Sequence, residues 1–311
     1  MANFDCMIGD VRVTRVEEMV RPVSQPQDWY LDYQQAELAP LLPWLAPKYF
    51  SPAEGRLISS IHTWVLRTPT QVILIDTCTG NHKDRPGWPT FHMLDTPYLE
   101  RLHAAGVSPE EVDVVLCTHL HVDHVGWNTR LQDGRWVPTF PNAKYLMSQG
   151  DHQHFSSLIG QPKTSALTAN TYNDSVLPVV EAGQAVFVTG DEEIDHGLRL
   201  TPAPGHTPGQ VRLDLSSGGR LACFCGDVLH HPLQVPLWHW RTRVCFDPDQ
   251  ARDTRRTVLE HCAESGALLL PAHFAEPHGG YVEAHQDSFR LLWPSSPGGA
   301  RSGAVPADHV A

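Results

Sequence analysis

The run Cys117-Thr118-His119-Leu120-His121-Val122-Asp123-His124 constrains this chain more than any other feature. It follows Val112 to Cys117, a short continuous apolar stretch of the kind that forms a strand buried on both faces. Its polar side chains therefore leave the edge of a sheet together. If the backbone stays extended, alternation puts His119, His121 and Asp123 on one side, and His124 turns in from the loop that follows. Imidazole and carboxylate are the ligands zinc takes outside thiolate sites. Four such groups within six residues fit neither an apolar core nor an ordinary solvated loop.

More donors of the same type recur further along. Ala203-Pro204-Gly205-His206-Thr207-Pro208-Gly209 is a loop carrying a histidine, Cys225-Gly226-Asp227 ends the apolar run Leu221 to Cys225, and Pro271-Ala272-His273 follows Ala267 to Leu270. Asp76 closes the run Val72 to Ile75. Taken in order with the His-x-His-x-Asp-His motif, these segments resemble the metallo-β-lactamase superfamily over roughly residues 56 to 290.

That resemblance implies an α/β chain folded as an αββα sandwich, two mixed sheets between helices. It implies a metallohydrolase with two divalent ions, zinc first and iron, manganese or cobalt as substitutes. One ion would take His119, His121 and His206, the other Asp123, His124 and His273, and Asp227 would bridge them opposite a hydroxide. Asp123 and Asp227 would thus belong to the catalytic machinery, with Asp76 behind the metal loop. Each ion keeps an open position, as catalytic zinc does, and two cations bring a bound water's pKa towards neutrality.

Within the superfamily, His121 argues against the flavodiiron type, which has an acid there, and the absence of a matched cysteine ligand argues against thiolate-using lactamases. The donor set resembles autoinducer lactonases, methyl parathion hydrolase relatives and glyoxalase II. Where many autoinducer lactonases carry tyrosine three residues after the bridging aspartate, Gly226-Asp227-Val228-Leu229-His230-His231 has His230. This is closer to the parathion-hydrolase pattern and supplies a donor for an oxyanion or leaving group. Gln210 stands where the third ligand's loop often ends in histidine. A lactone or carboxylic ester is the leading substrate, a phosphotriester the close alternative, and hydrolytic dehalogenation or thioester cleavage more distant. A non-catalytic binding protein would have no reason to keep every ligand. Trp127, Trp238 and Trp240, with the N-terminal aromatics, are candidate walls of an apolar substrate pocket.

Composition narrows the partners to a small molecule. A formal net charge of −12 with no Lys/Arg cluster argues against nucleic acid. No apolar run approaches the ~20 residues of a membrane span, and the start lacks a secretory pattern, so the expected location is the cytoplasm. Seven cysteines without a Cys-x-x-Cys pair suit reduced thiols. Cys223 and Cys225 alternate in an apolar run and read as buried small hydrophobes rather than ligands.

The chain reads as an aromatic, proline-rich arm at 1–55, a catalytic domain at 56–294 and a disordered tail at 295–311. After a strand at Val11 to Val16, the arm's exposed aromatics predict packing on the domain or a homodimer. The spacing predicts a hairpin around Thr68-Pro69-Thr70, a helix over Pro97 to Ala105, and strands at Ala185 to Thr189, Leu198 to Thr201 and Gln210 to Leu215. A further helix should be capped by Asp247, carry Pro248 at its first position and stop at Gly266.

Overall fold

The computed structural model describes residues 4–293, so the expected tail lies outside the described residues. The chain divides into two compact units. One takes residues 4–5, Asp10–Met19 and Ile61–Glu192; the other takes Cys6–Gly9, Val20–Ser60 and residues 193–293.

The first sheet contains β1 (Asp5–Ile8), β2 (Val11–Pro22), β3 (Phe50–Ser51), β4 (Arg56–Arg67), β5 (Val72–Ile75) and β6 (Val114–Cys117). A separate hairpin of β7 (Thr129–Gln132) and β8 (Arg135–Pro138) precedes its last strands, β9 (Lys144–Ser148) and β10 (Ala185–Val188). The order is β1-β2-β4-β5-β6-β9-β10, with β3 on β4. β4 and β5 are antiparallel, joined as expected through Thr68, whose hydroxyl accepts from the Gln71 N–H at 2.9 Å. From β5 to β10 the strands are parallel, so β5 and β6 finish at the same edge, where a parallel sheet presents its functional loops. The apolar runs of β5, β6 and β9 are covered by Tyr98 and Leu102 of helix Tyr98–Ala104, Phe155 of helix Gln149–Leu158 and Val179 of helix Leu177–Glu181.

The second sheet runs β11 (Glu192–Asp195), β12 (Leu198–Pro202), β13 (Val211–Ser217), β14 (Arg220–Phe224), β15 (Leu268–Leu270), β16 (Gly280–His285) and β17 (Ser288–Leu292) in sequence order. Only β14 and β15 pair in parallel among the registered neighbours, because helix Pro248–Ser265 carries the chain between them. Asp247 caps that helix by accepting from the N–H groups of Asp249 (3.1 Å) and Gln250 (3.0 Å), and Gly266 ends it at φ 70°. Val258, Leu259 and Cys262 pack on Cys223, Cys225 and Leu269. The two cysteines of that run are core residues, and none of the seven is in a disulfide. On the same helix the buried Arg255 guanidinium donates to the carbonyls of Val228 (3.0 Å), Trp238 and Trp240 (both 2.8 Å), pinning the loop beyond β14.

Residues 4–55 are more regular than an arm. β1 and β2 are sheet strands, and β2, which lies between β1 and β4, continues past Val16 to Pro22 although Glu17 and Glu18 break the apolar pattern. Tyr30 and Tyr49 are buried with Leu233, Leu237 and Trp240, and the Tyr49 hydroxyl donates to the Glu276 carbonyl at 2.6 Å. Tyr30 and Tyr49 are thus covered by their own chain, whereas Trp29, Tyr33, Trp44 and Phe50 are half-buried.

Candidate metal centre

In the first unit the donors stand where β6 ends. The segment after Cys117 turns instead of staying extended, with the His124 N–H donating to the His121 carbonyl at 3.1 Å. The turn, rather than strand alternation, gathers the rings: centroids of His119 and His124 lie 3.9 Å apart, and those of His119 and His121 4.8 Å. His119 and His124 are buried, whereas His121 and Asp123 are half-buried.

Asp76, immediately after β5, orders these rings. Its backbone adopts the left-handed region at φ 56°, which a short polar side chain tolerates. Its carboxylate accepts from the Thr118 N–H and hydroxyl, both at 2.8 Å, and lies 2.8 Å from His124 Nδ1. The Thr118 hydroxyl is in turn 3.1 Å from His119 Nδ1. One relay therefore engages both Nδ1 atoms, a pattern that fixes the tautomer and would leave ligation of a metal to Nε2. Asp151, buried at the start of its helix, accepts from the Leu120 N–H at 3.2 Å and holds the loop from behind.

In the second unit the donors converge on Asp227, which follows β14. Its Oδ2 is 3.3 Å from His206 Nε2 and 3.4 Å from His230 Nε2, and its Oδ1 is 3.0 Å from His273 Nε2. His273 leaves β15 with Nδ1 directed at the Ser60 carbonyl (2.9 Å), while the Ser60 N–H donates to the His273 carbonyl (3.0 Å). His206 sits in a loop closed by Ala203 N–H to Gln210 carbonyl at 2.8 Å, which is the role Gln210 fills. Gly205 adopts φ 127°, and a Cβ there would lie 2.3 Å from the Ala251 nitrogen, so only glycine lets the loop approach helix Pro248–Ser265. A buried carboxylate faced by several imidazole Nε2 atoms suits a divalent cation, so the residues present fit one.

No spacing rule predicts the contacts of His230: its backbone N–H donates to Gln234 Oε1 at 2.8 Å, and its ring Nε2 is 3.2 Å from His206 Nδ1. Cys245 was not legible as a neighbour of this group, being 39 residues beyond His206. Its sulfur lies 3.5 Å from His206 Nδ1 and 2.8 Å from the Thr242 hydroxyl, and burial pushes the thiol up to about 11.

The three tryptophans expected as pocket walls make contacts of their own. Trp127 is buried, stacked on Tyr98 at 5.2 Å, with its indole N–H donated to Glu18. Trp240 is buried against Tyr30 and donates to Glu37 at 2.9 Å. Trp238 donates to the Asp287 carbonyl at 3.3 Å under the Arg256 guanidinium. A large apolar ring with its N–H satisfied is ordinary core material. Trp29, half-buried, lies edge-on to the candidate catalytic His230 at 5.8 Å, and Phe155 lies edge-on to His121 at 5.7 Å.

The model of the metallo-β-lactamase superfamily matches residues 58–296. The chain belongs to this superfamily. Among sequence relatives, the N-acyl homoserine lactonase AiiB of Agrobacterium fabrum is 29% identical over 114 residues, which is 32% of this chain and 41% of the lactonase. The match thus spans less than half of that relative. Among solved structures, the hydrolase AbOPH of the β-lactamase superfamily superposes with TM-score 0.78 at 24% identity, covering 94% of this chain and 97% of that one. AidC, a dizinc quorum-quenching lactonase solved with a product, gives 0.76 at 22% identity over the same shares, 94% and 97%. Both likenesses establish the fold: mixed α/β with two mixed sheets, consistent with the αββα sandwich. This metallo-β-lactamase superfamily member also brings together His/Asp groups that could hold a divalent metal. Among the described residues no helix is long and apolar enough to cross a membrane.

Proposed function

We propose that this hydrolase holds two divalent ions and opens a lactone or cleaves a carboxylic ester of a small molecule. His119, His121 and His206 would hold one ion, Asp123, His124 and His273 the other, and Asp227 would be shared. The observation that carries the reading is the set of imidazole Nε2 atoms around the buried Asp227 carboxylate. Zinc is the expected metal, and the dizinc lactonase AidC supports that choice. Bound there, the ions supply Lewis acidity towards a carbonyl oxygen and acidify a coordinated water.

The chain's own residues orient and donate. Asp76 and the Ser60 carbonyl hold the His124 and His273 rings through their Nδ1 atoms. His230 is assigned the donor role, giving a hydrogen bond to the substrate oxygen that gains charge or a proton to the leaving alkoxide. Trp29, against the His230 ring, supplies apolar surface for a substituent on the substrate. Histidine at position 230 also favours a second reading, a phosphotriester in the same site, since the same donor suits a phosphoryl oxygen.

Elemental analysis of the purified protein, followed by a panel of lactones, aryl esters, phosphotriesters and thioesters, tests this. The expected result is about two ions per chain and lactone or ester turnover that a chelator removes and Zn²⁺ restores. Full turnover after exhaustive chelation would overturn the mechanism, and turnover confined to phosphotriesters would select the second reading.

A further inference from the structure

β2 carries a buried carboxylate that the chemistry above does not use. Glu18 accepts from the Thr79 N–H (2.8 Å) on Oε2, and from the Trp127 indole N–H (2.7 Å), the Gly80 N–H (3.1 Å) and the Thr96 hydroxyl (3.3 Å) on Oε1. Its own carbonyl accepts from Arg101 at 2.9 Å, which fixes the strand backbone beneath it. Burial pushes the Glu18 carboxyl above the ordinary glutamate range, and the N–H donors pull against that rise. Both oxygens face N–H groups, so the site is built for a carboxylate. An amide would turn its own N–H onto one of these donors.

The groups Glu18 holds come from two loops that also carry site residues. Residues 76–80 and 124–128 are laced by backbone hydrogen bonds: Thr77 N–H to His124 carbonyl (2.7 Å), Trp127 N–H to Thr77 carbonyl (2.8 Å) and Gly126 N–H to Cys78 carbonyl (2.7 Å). The lacing is tight enough that a Cβ on Gly126 would lie 1.8 Å from the Thr79 carbonyl oxygen. At one end of this double loop stands the Asp76–His124 contact. At the other, Glu18 bonds Thr79 and Gly80 of the first loop and Trp127 of the second, closing them with a single charge.

We infer that Glu18 is a positioning residue for the metal loop: by clamping residues 79–80 to Trp127 it sets the register in which Asp76 meets His124. The inference rests on the metal reading proposed above. It places a determinant of metal affinity on β2, far ahead in the sequence of the ligand it serves.

The test uses Glu18→Gln, Trp127→Phe and the double variant in the full chain. Zn²⁺ is titrated in competition with a chromophoric chelator, and the Tm of each metal-free protein is recorded. Groups that orient ligands from behind typically carry 10–100-fold in metal affinity. Glu18→Gln should therefore weaken Zn²⁺ binding about 10-fold, Trp127→Phe should weaken it less, and the double variant should lose less than the two together, because phenylalanine removes a donor that the new amide opposes. Lowered Tm with wild-type Zn²⁺ affinity in both single variants would overturn the inference and leave Glu18 a packing residue. If Glu18→Gln does not fold, unchanged affinity in Trp127→Phe overturns it alone. Failure of the wild-type protein to bind Zn²⁺ would remove the metal reading itself, and this inference with it.

Discussion

His124 presents Nδ1 to the Asp76 carboxylate at 2.8 Å, and the same carboxylate holds the Thr118 hydroxyl that meets His119. One acid therefore sets the tautomer of two candidate ligands. Asp76→Asn keeps the shape but can no longer accept on both sides. Metal affinity should fall about 10–100-fold with secondary structure retained, as read by chelator competition and circular dichroism. Wild-type affinity in this variant would show that the relay is incidental.

His230 is the residue whose role the proposed chemistry most depends on. His230→Ala should lower kcat by roughly 10²-fold with metal content unchanged, because the lost donor acts on an oxygen charged only in the transition state. His230→Tyr should retain part of the lactone turnover, since tyrosine can donate the same bond. Loss of metal in His230→Ala would instead make the residue a support for Asp227 and His206, which its Nε2 also faces.

His231, its neighbour, gives a pH dependence of stability. It is buried, accepts from the Leu233 N–H at Nδ1 (3.2 Å) and donates from Nε2 to the Tyr49 carbonyl (2.8 Å), and burial lowers its pKa from 6.5 to about 4. Between those values the unfolded chain takes up a proton that the folded chain refuses. The contribution is complete above pH 6.5 and is lost as pH falls towards 4. It amounts to ~3 kcal/mol. Urea unfolding of metal-free protein should show this slope, and His231→Gln should flatten it.

Gly205→Ala should be costly twice over, through its φ of 127° and the contact with Ala251. A loss of ~2–4 kcal/mol is expected, measured by denaturant unfolding, and His206 would move with the loop. An unchanged midpoint would mean that helix Pro248–Ser265 can yield.

Much of the fold was legible because burial writes itself as apolar runs. β5, β6, β12, β14 and β15 were readable in this way, and helix Pro248–Ser265 was marked by Asp247, Pro248 and Gly266. The β7–β8 hairpin carried a signal that went unread: Asp133-Gly134 sits at its turn with both residues at positive φ. β16 and β17 had no such mark, since their turn is Gln286-Asp287 and their residues alternate weakly. At the candidate centre, strand ends followed by His or Asp were visible in sequence. Asp151, Cys245 and Glu18 were not, because each meets its partner across a long stretch of chain and no local spacing encodes that meeting. The contacts of the tryptophans were not legible either: proximity to His124 or Asp227 in sequence says nothing about which way a ring faces.

The division of the chain has a consequence for its synthesis. Val20–Ser60 belongs to the unit completed by residues 193–293, and all of Ile61–Glu192 is made in between. On the ribosome, Tyr30, Leu41, Leu45 and Tyr49 must therefore wait, uncovered, until Leu233, Leu237 and Trp240 emerge. A nascent chain stalled before residue 233 should be a strong client for chaperones that bind apolar segments, and an early start to that capture is built into the order of the fold.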